Sequence, residues 1–368
     1  MPRKFRIGVI GRTGKGNYGH ALDTAWQEIP NAEIAAVADD NKGGLLAAGR
    51  KLKVNRTFSD YREMLDKIKP DVAAICPRWV DQHRDMAVAA AERGIHVYME
   101  KPLCRTLEEA DEIVAACERT HVKLAIAHPT HYSPKLQTIK KLIAEGKIGT
   151  VLEYRARGKE DSRGGGLDLW ALGTHVLDMI RVLGGHPKSC FATVTQNGKP
   201  VGKQDVFEGA EGIGPLAGDA LHARFGMPDG STAYFASQKN MRGNPSRYGL
   251  QIFGSKGVIE VIEGVLPPVK FLPDPSWSPG RSGVKWQDVS SAGVGKPEPL
   301  QGKQYTARHY LAIVDFLKAI QDDRQPLDGM YEARGVVEMI AAVFESHRQG
   351  GPVPLPLKNR KNPLTMLR

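Results

Sequence analysis

The sequence has no long hydrophobic run, and this lack excludes a membrane-spanning helix. None of its apolar stretches approaches the roughly 18 consecutive apolar residues that such a helix requires. Its first residues, MPRKFRIGVIG, pass from basic side chains directly into a polar-flanked strand, a beginning that does not favour export. We therefore expect a cytoplasmic protein that has no membrane partner.

Cysteine is scarce, and its spacing excludes the common cysteine-based metal sites. Cys76, Cys104, Cys117 and Cys190 lie in apolar contexts and form no CxxC pair, so we expect a reduced protein. The segment HPTH at 128–131 has two histidines, but its proline breaks helical register and no third ligand of the HExxH type is present. We expect no bound metal.

The chain also lacks a dense basic patch, although its formal net charge is +10. The basic residues are spread along the chain, and only KNRKN at 358–362 is locally dense. This distribution predicts a solvated basic surface and no nucleic-acid partner.

What the chain does have is enough apolar residues, 41% of 368, for two domains with buried cores. Up to about residue 125, short apolar runs alternate with amphipathic stretches, as in βαβ units around a parallel sheet. The predicted strands are FRIGVIG, AEIAAVAD, DVAAICP, IHVYMEKP and VKLAIAH; the predicted helices are HALDTAWQEI, GGLLAAGRKL, 59–69, 83–93 and TLEEADEIVAACERT, the last with Thr106 as N-cap. We therefore predict a Rossmann domain with a doubly wound parallel sheet over residues 1–128.

The pattern changes after His128. A helix, PKLQTIKKLIAEG, is followed by runs with period-two alternation, which favour a sheet with one exposed face. These runs are TVLEYRARG, HARFG, STAYFASQ and GLQIFGSKGVIEVI. Residues 267–302 are rich in Pro, Gly and Ser and predict a long surface loop, and two amphipathic helices, YTARHYLAIVDFLKAIQ and MYEARGVVEMIAAVFESHRQ, follow.

A glycine-rich segment, GRTGKGNYGH, follows the first strand. Gly14, Gly16 and Gly19 fit GxGxxG, and Gly11 ends the strand. Glycines let a backbone approach a pyrophosphate, and a helix start offers free N–H groups to it. We predict a dinucleotide-binding loop that includes these four glycines, with Thr13, Asn17 and Tyr18 as further contacts. The alternative is a glycine-rich surface turn.

Asp39 ends the second strand, about 20 residues after the glycine loop, where an acceptor for a ribose 2′-hydroxyl is expected. Asp40 follows it, and no Arg lies beside the pair in the sequence. A second carboxylate would repel a 2′-phosphate, so NAD is favoured over NADP. Alternatively, one of the two carboxylates only initiates the turn before Asn41 and Gly43.

At Glu100 to Pro102, EKP, the chain resembles the glucose-fructose oxidoreductase / inositol dehydrogenase / MocA (Gfo/Idh/MocA) family. The resemblance covers nearly the whole chain through GVIG, VAD, the helix with His83, HVYMEKPL, EGKIGTV, GGG…LGTHVLD and the closing helices with VPLPL. It implies cofactor contacts by Cys76, Pro77, His83, Glu100 and Lys101. It also implies that residues 129–368 form an α+β domain with a large open mixed sheet, which binds substrate and mediates oligomerisation.

The resemblance further implies that Lys101 reaches the junction of nicotinamide and substrate, and that Pro102 follows a cis bond. A Lys at the carboxyl end of a parallel strand lies at the crevice where ligands bind. Its ammonium could stabilise alkoxide character as hydride leaves. The alternative is a surface Lys paired with Glu100.

In the segment at 164–178, GGGLDLWALGTHVLD, the resemblance makes His175 the general acid/base. The family has an Asp four residues earlier, where this chain has Ala171. A carboxylate there would share a helix face with the imidazole and orient it, so its loss removes that partner. We predict substrate contacts by Asp168, on nearly the same face as His175, by Asp178, and by His131, which replaces a family Arg. The alternative for His175 is a core histidine.

The predicted function is hydride transfer between NAD and a secondary hydroxyl of a sugar, sugar derivative or cyclitol, by a homodimer or homotetramer. One alternative is a glycosidase or eliminase that oxidises its substrate transiently and returns NAD unchanged. Another is a sensor that binds dinucleotide and sugar without turnover.

Overall fold

The computed structural model describes residues 4–368 and divides them into two units. The first contains the described residues up to His128, together with 210–214 and 307–337. The second contains 129–209, 215–306 and 338–368. The division after His128 coincides with the predicted domain boundary. The two later segments of the first unit differ from that prediction, which assigned them to the second domain.

The first unit contains a six-stranded parallel sheet in the order β3-β2-β1-β4-β5-β6. Its strands are β1 (Phe5–Ile10), β2 (Ala32–Ala38), β3 (Thr57–Phe58), β4 (Val72–Ile75), β5 (His96–Met99) and β6 (Leu124–Ile126). The central β4 is buried along its whole length, as expected for a strand covered on both faces. The order reverses between β1 and β4, and ligands bind outside the carboxyl ends of strands at such a reversal.

The second unit contains an eleven-stranded mixed sheet. The remaining strands of the chain are β7 (Val151–Arg157), β8 (Ser189–Gln196), β9 (Lys199–Pro200), β10 (Phe207–Gly209), β11 (Gly214–Leu216), β12 (Ala220–Gly226), β13 (Thr232–Gln238), β14 (Gly249–Gly254), β15 (Gly257–Val261), β16 (Val269–Leu272), β17 (Gln287–Ser290), β18 (Gly293–Val294) and β19 (Val353–Pro354). The order is β18-β17-β16-β15-β14-β7-β13-β12-β8-β19, with β9 beside β8, and β10 pairs with β11 separately. Strands β7 and β13 are parallel while their neighbours are antiparallel, which confirms the predicted mixed sheet.

The α-helices are α1 (Leu22–Ala25), α2 (Lys42–Leu52), α3 (Tyr61–Ile68), α4 (His83–Ala91), α5 (Leu107–Thr120), α6 (Pro134–Ala144), α7 (Gly166–Asp168), α8 (Thr174–Gly184), α9 (Pro279–Ser282), α10 (Tyr310–Gln321) and α11 (Met330–Gln349). The predicted N-cap of α5 is confirmed, because the Thr106 hydroxyl accepts a hydrogen bond from the Glu109 N–H. No helix within residues 4–368 is both long and apolar enough to cross a bilayer.

Residues 267–302 are not the long loop that their composition predicted. They contain β16, α9, β17 and β18, and they extend the mixed sheet at one edge. Phe271 and Leu272 are buried, and the Trp277 ring packs on Phe253 at 5.0 Å between centroids. The frequent Pro and Gly mark the turns between short strands, and they hide strands of only two to four residues.

Candidate functional site

The glycine-rich segment after β1 forms a small hairpin. Arg12 and Asn17 pair as an antiparallel bridge, and the Gly14 N–H donates to the Asn17 side-chain oxygen at 2.9 Å. Gly14 is exposed, with φ of 85°, and nothing would contact a Cβ added there. Gly14 therefore lies at the tip of the hairpin, and Gly11 and Gly19 lie near its base.

Two of the glycines bring this segment against the loop that follows β4. A Cβ on Gly16 would lie 2.4 Å from the Trp79 nitrogen, and one on Gly19 would lie 3.0 Å from the Cys76 carbonyl oxygen. The Gly19 N–H donates to that carbonyl at 2.8 Å. These glycines are thus required for contact between backbones, and their contact with a dinucleotide stays a prediction.

The helix predicted after the glycine segment is broken. His20 and Ala21 have φ of 47° and 63°, which is the left-handed region that interrupts a right-handed helix. Helix α1 has only four residues and continues into a 3₁₀ turn. A helix N-terminus of useful length is therefore not available at this position, and the loop N–H groups are the donors that a pyrophosphate would meet.

Asp39 holds the glycine hairpin. Its buried carboxylate accepts hydrogen bonds from the Thr13 N–H, from the Thr13 hydroxyl at 2.7 Å and from the Asn41 N–H at 2.9 Å. Asp40 is exposed, and the Arg12 Nε lies 3.9 Å from it. The sequence showed no Arg beside this pair, but folding brings Arg12 there. Asp81 also binds Arg12, at 2.8 Å, so two carboxylates compensate the guanidinium charge.

A cavity of about 240 Å³ opens beside these carboxylates, at the carboxyl ends of β1 and β2. Gly11, Arg12, Asp39 and Asp40 are among the residues that line it. The volume suits one nucleoside rather than a whole dinucleotide, since pockets for drug-sized ligands span about 300–1,000 Å³. Acceptor carboxylates at a strand end fit the ribose of NAD, so the residues present fit the predicted cofactor.

Tyr18 fills the space next to Gly11, where a Cβ would lie 2.1 Å from the phenol ring. Burial, and then the neighbouring Asp39 carboxylate, raise the pKa of Tyr18 well above its usual value. The hydroxyl therefore stays protonated at neutral pH. In the predicted cofactor contact, the Tyr18 hydroxyl would therefore be an uncharged hydrogen-bond donor.

The Glu100-Lys101-Pro102 segment directly follows β5, and the bond before Pro102 is cis, as predicted. Glu100 is buried, and its Oε1 lies 2.8 Å from the His20 Nδ1. Burial alone would raise the pKa of Glu100, but the hydrogen bond and charge of His20, with Lys101, lower that pKa to about 2. Lys101 is only 7% exposed, which argues against the alternative of a surface lysine.

His83 connects the loops after β4 and β5. Its Nδ1 lies 2.8 Å from the Pro102 carbonyl oxygen, and its Nε2 lies 2.8 Å from that of Pro77. The residue is fully buried, and burial lowers its pKa. Both nitrogens contact backbone carbonyls, so in this structure His83 acts between the two loops, and its predicted cofactor contact stays a prediction. Cys76 is also fully buried, with its thiol 3.4 Å from the Ala74 carbonyl.

In the second unit, His175 lies near the start of α8. A π-helical segment, Leu169–Gly173, separates α8 from α7. A π turn contains one extra residue, which rotates the preceding positions by about 100° around the helix. Asp168 therefore does not share a face with His175, contrary to the prediction. Ala171 lies inside the π segment and is buried.

Asp168 instead connects the segment after β7 with strand β13 through hydrogen bonds. Its Oδ2 accepts hydrogen bonds from the Ser237 hydroxyl at 2.5 Å and from the Glu160 N–H at 3.0 Å. The residue is fully buried, and burial raises its pKa. Gly158 leaves room for it, since a Cβ there would lie 2.1 Å from Oδ2. Asp168 thus has a structural role in this unit, and its predicted substrate contact stays a prediction.

The other two predicted substrate residues lie together. The His131 Nδ1 is 3.0 Å from the Asp178 Oδ2. His131 belongs to a 3₁₀ turn, Pro129–Tyr132, and Asp178 lies one helical turn after His175. The pair is buried. Their contact with substrate stays a prediction.

Sequence reasoning missed Glu263, which follows β15. Its Oε1 lies 4.0 Å from the His175 Nδ1. In the sequence this Glu reads as part of a turn, Glu-Gly after a strand, and no local pattern connects it with His175. The acidic neighbour argues against the alternative of an ordinary core histidine.

Residues 5–128 match the family described as "Oxidoreductase family, NAD-binding Rossmann fold", and residues 136–260 match the "GFO/IDH/MocA C-terminal domain". The chain belongs to the Gfo/Idh/MocA family. This confirms the resemblance found in the sequence, the oxidoreductase class of the enzyme and NAD as its dinucleotide.

Individual members of the family extend the likeness along the chain. Levoglucosan dehydrogenase of Pseudarthrobacter phenanthrenivorans is 25% identical over 385 aligned positions, which cover 94% of this chain and 98% of that protein. D-apiose dehydrogenase of Paraburkholderia graminis is 30% identical over 214 residues, and the match spans 55% of this chain and only 56% of that protein. A solved structure of levoglucosan dehydrogenase with NADH and levoglucosan has a TM-score of 0.77 at 22% identity, covering 96% and 100% of the two chains.

Proposed function

We propose that this Gfo/Idh/MocA protein transfers hydride between NAD and a secondary hydroxyl of a sugar, sugar derivative or cyclitol. The observation that carries the proposal is Lys101, a nearly buried ammonium at the carboxyl end of a parallel strand. The names of the relatives support the substrate class, since they act on levoglucosan and D-apiose.

We assign the proton chemistry to Lys101 and His175. The nicotinamide, when bound, supplies the hydride acceptor or donor. The Lys101 ammonium donates a hydrogen bond to the reacting oxygen and stabilises the negative charge that develops as the C–H bond breaks. The His175 imidazole accepts the hydroxyl proton as general base, and it returns that proton in the reverse direction.

The buried His131-Asp178 pair supports a polyhydroxylated substrate. A carboxylate accepts hydrogen bonds from hydroxyl groups, and an imidazole can donate to a hydroxyl oxygen. A few fixed polar groups of this kind orient a small polar ligand. We assign substrate binding to both residues.

We also propose a homodimer or homotetramer that associates through the mixed sheet. Arg224 on β12 lies opposite Phe191 on β8 and opposite Tyr234 on β13. The two aromatic side chains are 43% and 37% exposed. Exposed aromatic rings beside Arg are typical of the surfaces through which proteins associate.

The activity is tested by incubating sugars, inositols and glycosides with NAD, following NADH absorbance and identifying the products. Lys101→Ala is expected to lower kcat at least 100-fold, the approximate cost of removing one donor to a developing oxyanion, while NADH binding measured by fluorescence survives. Lys67→Ala, at an exposed Lys paired with Glu63 on α3, is the control.

Unchanged turnover in Lys101→Ala would contradict the role of this residue. Cleavage or elimination without net NADH formation would favour transient oxidation, the alternative suggested by Ala171. Binding of NADH and sugar with no product of either kind would favour the sensor.

A further inference from the structure

We propose that Glu263 orients the His175 imidazole and supplies the carboxylate that position 171 lacks. Glu263 is thus a positioning residue, which acts through His175. Its kinetic consequence rests on the proposed function, whereas the contact between the two side chains does not.

The distance between the two groups is that of an ion pair. The Glu263 Oε1 lies 4.0 Å from the His175 Nδ1, and the side chains are 14% and 3% exposed. A hydrogen bond between them requires a shortening of about 1 Å. Catalytic hydrogen bonds are often long in a ligand-free protein and tighten when the ligand binds. Because both side chains are largely buried, solvent screens their interaction weakly, and the carboxylate acts strongly on the imidazolium.

The backbone holds Glu263 in this position from both sides. It lies one residue beyond the end of β15, after Ile262, and β15 pairs with β14 and β16 in the sheet. The next N–H, that of Gly264, donates to the buried Thr130 hydroxyl at 2.8 Å. Thr130 belongs to the same 3₁₀ turn as His131, so one anchor connects the Glu263 turn with the proposed substrate residues.

The carboxylates that the sequence suggested for His175 are engaged elsewhere. Asp178, on the same helix, pairs with His131. Asp168 is turned away by the π segment and binds Ser237 and the Glu160 backbone. Glu263 reaches the imidazole from a different element, the turn after β15.

The proton route follows from this geometry. A carboxylate at Nδ1 favours the tautomer with the proton on Nδ1, in which Nε2 is unprotonated and can act as base. In the oxidation, the substrate hydroxyl proton moves to Nε2, and the carbon-bound hydrogen leaves with its electron pair for NAD. The ring becomes an imidazolium, and the ionised Glu263 stabilises that charge while remaining ionised itself.

The test compares Glu263→Gln and Glu263→Asp in the full chain. The His175 pKa is measured by NMR on histidine-labelled protein, with His175→Asn to assign the resonance. In Glu263→Gln we expect this pKa to fall by about 1, because a neighbouring opposite charge is lost. We also expect kcat to fall at least about tenfold with little change in KM, as for loss of assistance to a general base, and Glu263→Asp to recover part of both effects. Glu260→Gln on β15, whose carboxylate binds Gln251, is the matched control.

The two readouts separate the outcomes. An unchanged His175 pKa in Glu263→Gln overturns the proposal, whatever the activity. A lowered pKa with unchanged kcat overturns the positioning role. A lowered pKa in a protein that oxidises no carbohydrate or cyclitol supports the contact and contradicts the proposed function.

Discussion

At the scale of single residues, buried ionisable groups carry most of the proposed chemistry. Glu100 and Lys101 adjoin each other after β5, and the Lys101 N–H donates to the Glu100 carboxylate at 3.2 Å. His20 reaches Glu100 from the glycine segment at 2.8 Å. A buried carboxylate costs free energy unless cations and hydrogen bonds compensate it. The compensation at Glu100 therefore makes its ionised form a source of stability.

This predicts a pH-dependent effect of Glu100→Gln. The pKa of Glu100 in the folded protein, about 2, is below the ordinary value of 4.5. Its ionisation therefore stabilises the fold fully above about pH 4.5, and that stabilisation is lost as pH falls towards 2. At pH 7 we expect the variant to lose about 3 kcal/mol of unfolding free energy, measured by urea unfolding at pH 7 and pH 3.

The difference between wild type and Glu100→Gln should shrink at pH 3. Glu63→Gln, which removes an exposed pair with Lys67 on α3, should change stability little at either pH. An equal loss at both pH values in Glu100→Gln would contradict the argument from ionisation.

At the scale of elements, local sequence determines helices that have a long and regular apolar pattern. Helix α11 was predicted over its full length, 330–349, because a long apolar period of 3.6 residues dominates its sequence. The first helix was predicted too long, because His20 and Ala21 have left-handed backbone conformations that interrupt it. The π segment was also missed, since its extra residue leaves no mark in the apolar pattern. In this segment the Leu172 carbonyl oxygen accepts a hydrogen bond from the hydroxyl of Tyr248, a residue distant in the sequence, at 3.0 Å.

The cap of α5 gives an element-scale prediction. Thr106→Ala removes the acceptor for the Glu109 N–H, which lies at 3.1 Å. We expect it to lower the unfolding free energy by about 1 kcal/mol, measured by urea unfolding. Thr106→Ser keeps the hydroxyl and should retain most of the stability. Equal destabilisation by both variants would assign the effect to the lost methyl group and not to the cap.

At the scale of the whole molecule, the exposed face of the mixed sheet is the proposed interface between subunits of the oligomer. Phe191→Glu, on β8, introduces a charge where an aromatic side chain is exposed, and an unpaired charge is costly to bury in an interface. We expect the oligomer to dissociate at micromolar concentration, measured by light scattering after size-exclusion chromatography. Phe207→Glu on β10, where the side chain is 51% exposed against 43% for Phe191, is the control because β10 is outside this sheet. An unchanged mass in Phe191→Glu would exclude this face as the interface.

The sequence by itself determined five of the six strands of the parallel sheet and the cap of α5, but not the two-residue β3. Its resemblance to the family implied the mixed sheet and the NAD-binding class. Each of these depends on periodicity and motifs within a few tens of residues. Only the tertiary structure decided which groups meet across long separations. It brought Arg12 to Asp40, moved Asp168 away from His175, and placed Glu263 beside that histidine. The physical reason is that such contacts depend on how elements pack, and a side chain's neighbours from distant segments leave no periodic trace in its own local sequence.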